Sequence, residues 1–457
     1  MDPMPLTASQ QALRNLTYYT TQCKNSVNRL RNQYALTPNI DETVRGIREN
    51  IASYTLKIMN QFSFILNTDI RPTQTHYNRL ACLVTELYAT LNRPQNTIEE
   101  LLRVLEDWSY KFDRYWFLFA IYVDNPTPLI ECLPDHNLNG LPTTLAQPIH
   151  GYTATHNSTL LHQYNRHRGT DIIIDGHGLL VDREDPSLLN SSPEGSNLSL
   201  RLRNAAALSS SLMNAVAILP VDHQTPTPLV FETTRLEKWS TLRTSLWEGR
   251  DLVVPADNAV FAHRLAEAVH GLHVCNVQHG SIMPDCVLVA SVTQPLLHGF
   301  LCNPSGYWGW NTSDGPLSFN GYYQMARREE KTMKNDIRNL GICLLELGST
   351  NSFLKQQNKT RQRGKLWTVG RFLNPSDLSM QSLLELVDNE LDDLGHRFSA
   401  VVRACLTVSD LRLGQRTYDE KVDLSIWFID NVLLELRKVD VDFEEIPLEQ
   451  DSEQDSE

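Results

Sequence analysis

Between His279 and Cys286 the chain reads His-Gly-Ser-Ile-Met-Pro-Asp-Cys, placing an imidazole, a hydroxyl, a carboxylate and a thiol in one short string. Ser281 lies two positions from His279. A Ser–His hydrolase holds its serine on a sharp Gly-x-Ser-x-Gly elbow, and His279 and Met283 stand where those glycines would be, so Ser281 is not read as a nucleophile. Asp285 offers the hard oxygen donors that Mg²⁺ wants, whereas the Cys286 thiol is a poor ligand for that ion. The eight cysteines, Cys23, Cys82, Cys132, Cys275, Cys286, Cys302, Cys343 and Cys405, form no Cys-x-x-Cys pair and no His-rich spacing, which argues against zinc. Several lie in apolar runs, where a buried thiol is the plain expectation.

The elements that would position this string follow from periodicity. Val44, Ile47, Ile51, Ile58, Phe62 and Ile65 recur at three- and four-residue steps, one face of an amphipathic helix. Thr97 and Glu100 form a capping box ahead of Leu101, Leu105, Trp108, Phe112 and Trp116. Pro72 and Pro94 fall between periodic segments and read as stops. The aromatic run Trp108 to Phe119 is read as core. Prolines 126, 128, 134, 142 and 148 then mark a linker. Asp171–Asp175 and Gly178–Asp182 read as a hairpin, and Ala215–Leu219 with Leu229–Glu232 as a strand pair. Asn258–Val274 is helical, Val287–Val292 strand-like, Lys334–Gly348 a strongly apolar helix, and the remainder to about residue 438 mainly helical. Strands first and helices afterwards is an α+β order.

Two segments carry a resemblance to protein kinases. Leu265 to Val289, containing Leu272-His273 and the string from His279, resembles the helix, catalytic loop and following strand of that family. Asn335-Asp-Ile-Arg-Asn-Leu-Gly341 resembles a buried helix of the kinase C-lobe, with Asp336 as the carboxylate that holds the catalytic-loop backbone. Cys405 to Arg412 resembles a late C-lobe pattern ending in an ion-pairing arginine, and Leu229-Val-Phe231-Glu232 the strand that enters the interlobe hinge. The loop and the string Leu297-His298-Gly299-Phe300 are most similar to divergent kinase-like domains found behind helical N-terminal domains in filamentous fungi. The resemblance implies a bilobal protein-kinase-like domain (171–438), set behind the all-helical N-terminal domain (1–123) and linker (124–170) read from periodicity and prolines and before an acidic tail (439–457) read as disordered from its composition.

It also implies that catalysis is lost. Phosphoryl transfer needs a carboxylate to orient the acceptor hydroxyl, oxygen ligands for Mg²⁺ and a lysine for the phosphates. Those catalytic-loop positions match Ser281, Met283 and Cys286, and the metal-binding Asp-Phe-Gly matches Leu297, His298 and Gly299. Asp285 falls beside the ligand position, and Gly176-His-Gly178 is too short a glycine run to cradle phosphates. Arg183 stands near the place of the family lysine. His279, Asp336 and Arg412 are expected to be structural. The function implied is a pseudokinase-like signalling or scaffold protein. The alternatives are a divergent active kinase using ATP and displaced carboxylates for Mg²⁺, and a helical self-association protein regulated by the kinase-like part.

The 457 residues carry a formal charge of −13, with 41% hydrophobic and 21% charged residues. That is an ordinary globular composition of two or three domains. An acidic chain does not gather phosphate backbones by charge, so protein partners are expected and nucleic acid is not. The start MDPMPLTASQ lacks the basic and apolar regions of a secretory signal, and no run of about 18 apolar residues occurs. A cytoplasmic or nuclear setting, no membrane span and no resident metal are the corresponding expectations. Ser452 and Ser456 sit among acids in the tail, where an acidophilic kinase would find them.

Overall fold

The structure, a computed structural model, describes residues 8–35, 42–93, 97–123, 255–279, 332–349, 379–391, 394–411 and 417–444 as continuous stretches. Strand segments at 173–174, 179–183, 214–218, 228–232, 240–241, 287–291 and 294–297 and a few isolated residues complete the described set.

Four helices open the chain: α1 (Ala8–Ala35), α2 (Glu42–Asn67), α3 (Gln74–Leu91) and α4 (Ile98–Phe117). Helix α1 packs on α2 and α3, and α4 packs on the same two. Burying the apolar stripes drives this, since each stripe residue removed from water contributes about 1.5–3 kcal/mol. Ile51, Ile58 and Phe62 of α2 are fully buried, and Ile47 and Ile65 pack against the same core. The start of α4 is fixed by Thr97, whose hydroxyl accepts the Glu100 amide at 3.1 Å. Trp108, Phe112, Trp116 and Phe119 lie in the core. Phe62 meets Trp108 and Phe112 edge-on, and the Trp108 indole N–H donates to the Leu83 carbonyl at 2.7 Å. A 3₁₀ turn, Leu118–Tyr122, follows α4 directly.

The C-terminal helices are α5 (Pro255–Val274), α6 (Met333–Gly348), α7 (Met380–Glu390), α8 (Gly395–Leu406), α9 (Thr417–Phe428) and α10 (Leu434–Glu444). A π-helical turn, Ile429–Leu433, joins α9 to α10. Helix α5 is the centre: 14 of its 20 residues are buried, so it must be enclosed on all sides. It packs on α6, α10, the Leu118–Tyr122 turn and α9. Helix α6 lies on α8, and α8 on α7 and α10.

The strands are short. β1 (Ile173–Ile174), β2 (Leu179–Arg183), β3 (Asn214–Ile218) and β4 (Pro228–Glu232) make one antiparallel sheet in the order β1-β2-β4-β3. β5 (Ser240–Thr241), β6 (Val287–Ser291) and β7 (Gln294–Leu297) make another.

The expected fold class, α+β with a bilobal protein-kinase-like domain behind a helical one, is corrected by this arrangement. A bilobal kinase fold needs a β-sheet lobe with its own packed face. Among the described residues helices predominate, and the residues whose burial is described build a core of helices and their turns, joined by Val287 and Val289 of β6. The physical reason lies in α5 and α4. Both are apolar on more than one side, and helices from the two ends of the chain close over them in a common core.

Close helix approach depends on Gly341 of α6. A Cβ there would come within 2.7 Å of Cys405 Cβ and 3.2 Å of the Leu406 amide nitrogen on α8. Both neighbours belong to a packed helix and cannot swing aside. Gly341→Ala is expected to cost about 1–3 kcal/mol by overpacking, read as a lower urea midpoint with an unchanged m-value. An unaltered midpoint would mean that α6 and α8 separate without penalty.

Candidate functional site

The end of α5 turns the chain into the His279 loop. Asn276 has φ 62°, the left-handed region, which asparagine tolerates better than most residues. Its N–H bonds the His273 carbonyl at 3.0 Å, and the Val277 N–H bonds the Leu272 carbonyl at 2.9 Å. This pair of bonds is a Schellman motif, with Val277 and Leu272 as its apolar partners. Lys421 of α9 donates to the Asn276 side-chain oxygen at 2.8 Å, fixing the turn from outside.

The loop then meets the first turn of α6. Thr332 caps that helix by accepting the Asn335 amide at 3.1 Å. Asp336, fully buried, points back so that Oδ2 accepts the His279 backbone N–H at 2.8 Å. The same oxygen accepts from His273 Nε2 at 3.1 Å. The carboxylate sits where the helix macrodipole favours a negative charge. Phe428 of α9 stands edge-on to the His273 ring and closes the site. Asp336 therefore acts as a tether: one carboxylate holds the end of α5 and the loop after it against α6.

The sequence-level site residues are distributed as follows. His279 is buried, joined through its backbone to Asp336. Ser281, Met283 and Cys286 lie outside the described residues, as do His298, Gly299 and Arg412. Leu297 ends β7, where its backbone pairs with Val287. Phe231 and Glu232 are in β4, opposite Leu180 and Leu179 of β2. Of the motif residues, the structure brings Asp336 and His279 together. Among the described residues no group of three His, Cys, Asp or Glu is placed to hold a metal ion, and no helix is long and apolar enough to cross a membrane.

A second polar centre lies where α4 meets α5 and α10. Arg114 and Glu267 form a partly buried ion pair, and the Arg114 guanidinium lies 4.5 Å from the Tyr110 ring centre. Tyr110 Oη lies 2.5 Å from His263 Nε2, and His263 Nδ1 lies 3.2 Å from Asp440 of α10. Arg437 sits 4.0 Å from the same Tyr110 ring and 3.9 Å from Asp107. Burial alone would raise the Glu267 carboxyl, but the Arg114 guanidinium, helped by His263, holds it below its usual range. Burial pushes the Tyr110 phenol up.

Two carbonyls at the end of α4 draw imidazoles. The α-to-3₁₀ change turns the Leu118 N–H to Tyr115 and Trp116, so the Arg114 carbonyl needs another donor. His270 Nε2 supplies it at 3.3 Å, and His76 Nε2 donates to the Tyr115 carbonyl at 2.8 Å. Burial, then the charges of Arg114 and His273, hold His270 well below the ordinary imidazole range, and burial takes His76 to about 4. At the far end of this seam, Asp430 of the π turn accepts from Tyr115 Oη and pairs with Arg79 of α3.

Motif reading overlooked this seam because its members come from four separate segments. One signal was present: His263, Glu267 and His270 fall at i, i+4 and i+7 of a largely buried helix, a polar line that such a helix carries only opposite partners. Comparison of the chain with protein-family models gives no match, and comparison with curated proteins gives none.

Proposed function

We propose that this chain is a signalling or scaffold protein that works by binding and conformation, without phosphotransfer. The observation that carries the reading is the chemistry of Ser281, Met283 and Cys286, none of which supplies the hard anionic oxygens that a magnesium–nucleotide pair requires. Asp336, enclosed and bonded to the His279 amide and the His273 ring, holds the shape of the loop before them. The partner class is protein, in keeping with a net charge of −13.

The test is direct. Purified full-length chain, incubated with radiolabelled ATP, Mg²⁺ and a general protein acceptor, is expected to transfer no phosphate above a no-enzyme control. Its melting temperature is expected to stay flat up to millimolar ATP and Mg²⁺, because a ligand that binds only the native state raises stability by mass action. Phosphate transfer at rates of about 1 s⁻¹ or more, ordinary for kinases, would overturn the reading in favour of a divergent active kinase.

A further inference from the structure

The seam between α4 and the helices α5 and α10 does more than a packing contact requires. Helices α1 to α4 bury their stripes against one another, and α6, α7 and α8 pack on their own side. Val123 and Pro255 bracket the chain between the two halves, so no short loop ties α4 to α5. What joins them is the apolar Leu118–Tyr122 turn packed on α5, together with a set of charged and polar side chains: Tyr110 and Arg114 facing His263, Glu267, Asp440 and Arg437, with Asp107 at the edge. A second set, Arg79 and Tyr115 on Asp430, closes the other end.

This seam is incompletely satisfied. Arg114 Nε, His270 Nδ1 and Asp440 Oδ1 are buried and have no hydrogen-bond partner. Burying polar atoms without partners costs stability, and buried ion pairs are weak stabilisers whose best-attested use is to specify one arrangement over another. The π turn carrying Asp430 fits, since such turns collect at places where a helix must present an unusual contact.

We propose that the Arg114–Glu267 pair and the Asp430 contacts form an intramolecular latch, whose release lets the four N-terminal helices swing from α5 and α10 as a body. The latch rests on the reading of this protein as one that signals by conformation, and it supplies the moving part. Glu267 is the element that fails first when neutralised, because Arg114 then stays buried and charged with its main partner gone.

The experiment is amide hydrogen exchange on the full chain at neutral pH, comparing wild type with Glu267→Gln. The expected result is a rise of at least tenfold in exchange for α4, the Leu118–Tyr122 turn and α5, with α6 and α8 unchanged. Asp430→Asn, at the other end, is expected to raise exchange in the same helices by a smaller factor, and it decides the matter alone if Glu267→Gln does not fold. Equal acceleration in α6 and α8 would show one cooperative core and overturn the latch, as would no change in α4. Phosphate transfer from ATP would instead overturn the signalling reading and leave the exchange pattern standing.

Discussion

Asp336→Ala is expected to destabilise the protein by about 3–5 kcal/mol, the range seen when one member of a buried charged network is removed. The substitution leaves the His279 N–H and the His273 ring nitrogen without their acceptor in a site closed to water. Each lost hydrogen bond to a charged acceptor is worth about 1.5–3 kcal/mol, so the two together account for a loss of that size. Asp336→Asn keeps one acceptor oxygen and should lose about half as much. Urea unfolding read by tryptophan fluorescence measures both. A shift of less than about 1 kcal/mol for the alanine variant would mean that the tether is dispensable.

Acid is expected to unfold the chain earlier than carboxylate protonation alone requires. His76 is held without a proton charge down to about 4, against 6.5 for a free imidazole. Between those two values the unfolded chain binds more protons than the native one, so stability falls as pH drops through 6.5 and levels off below about 4. At 1.36 kcal/mol per pH unit the full loss from this residue is about 3 kcal/mol, of which about 2 is gone by pH 5. His270 adds a loss of the same sign, because burial and the nearby Arg114 and His273 depress it too. Urea midpoints at pH 7, 6 and 5 should fall in order, and His76→Gln, which keeps a donor for the Tyr115 carbonyl, should flatten the trend. A midpoint that stays constant from pH 7 to pH 5 would contradict the burial of both rings.

Both effects arise from residues that the sequence treats unequally. Asp336 stood out because the segment from Asn335 to Gly341 resembles a buried kinase helix whose carboxylate holds the catalytic-loop backbone. His76 and His270 gave no comparable signal, since their partners are the carbonyls of Arg114 and Tyr115, and main-chain acceptors have no identity in a sequence. The helices were legible where one face is apolar, as in Ile51, Ile58 and Phe62 of α2. The arrangement of the halves was not. The aromatic run of α4 reads as core, yet which helices cover it depends on pairing across more than a hundred intervening residues, where local periodicity is silent. The bilobal expectation failed on that point: it took strand-like runs such as Leu229–Glu232 as a lobe, whereas the described core belongs to helices from both ends of the chain.

The π turn at Ile429–Leu433 has a geometric effect on everything after it. An α-helix advances about 100° of azimuth per residue, so one added residue within a turn rotates the downstream screw by about that angle. Leu434–Glu444 thus runs out of phase with Thr417–Phe428, although the two are nearly continuous in the chain. Arg437 and Asp440 come to bear on Tyr110 and His263 through that rotation, and the last helix is shared between the two halves of the molecule.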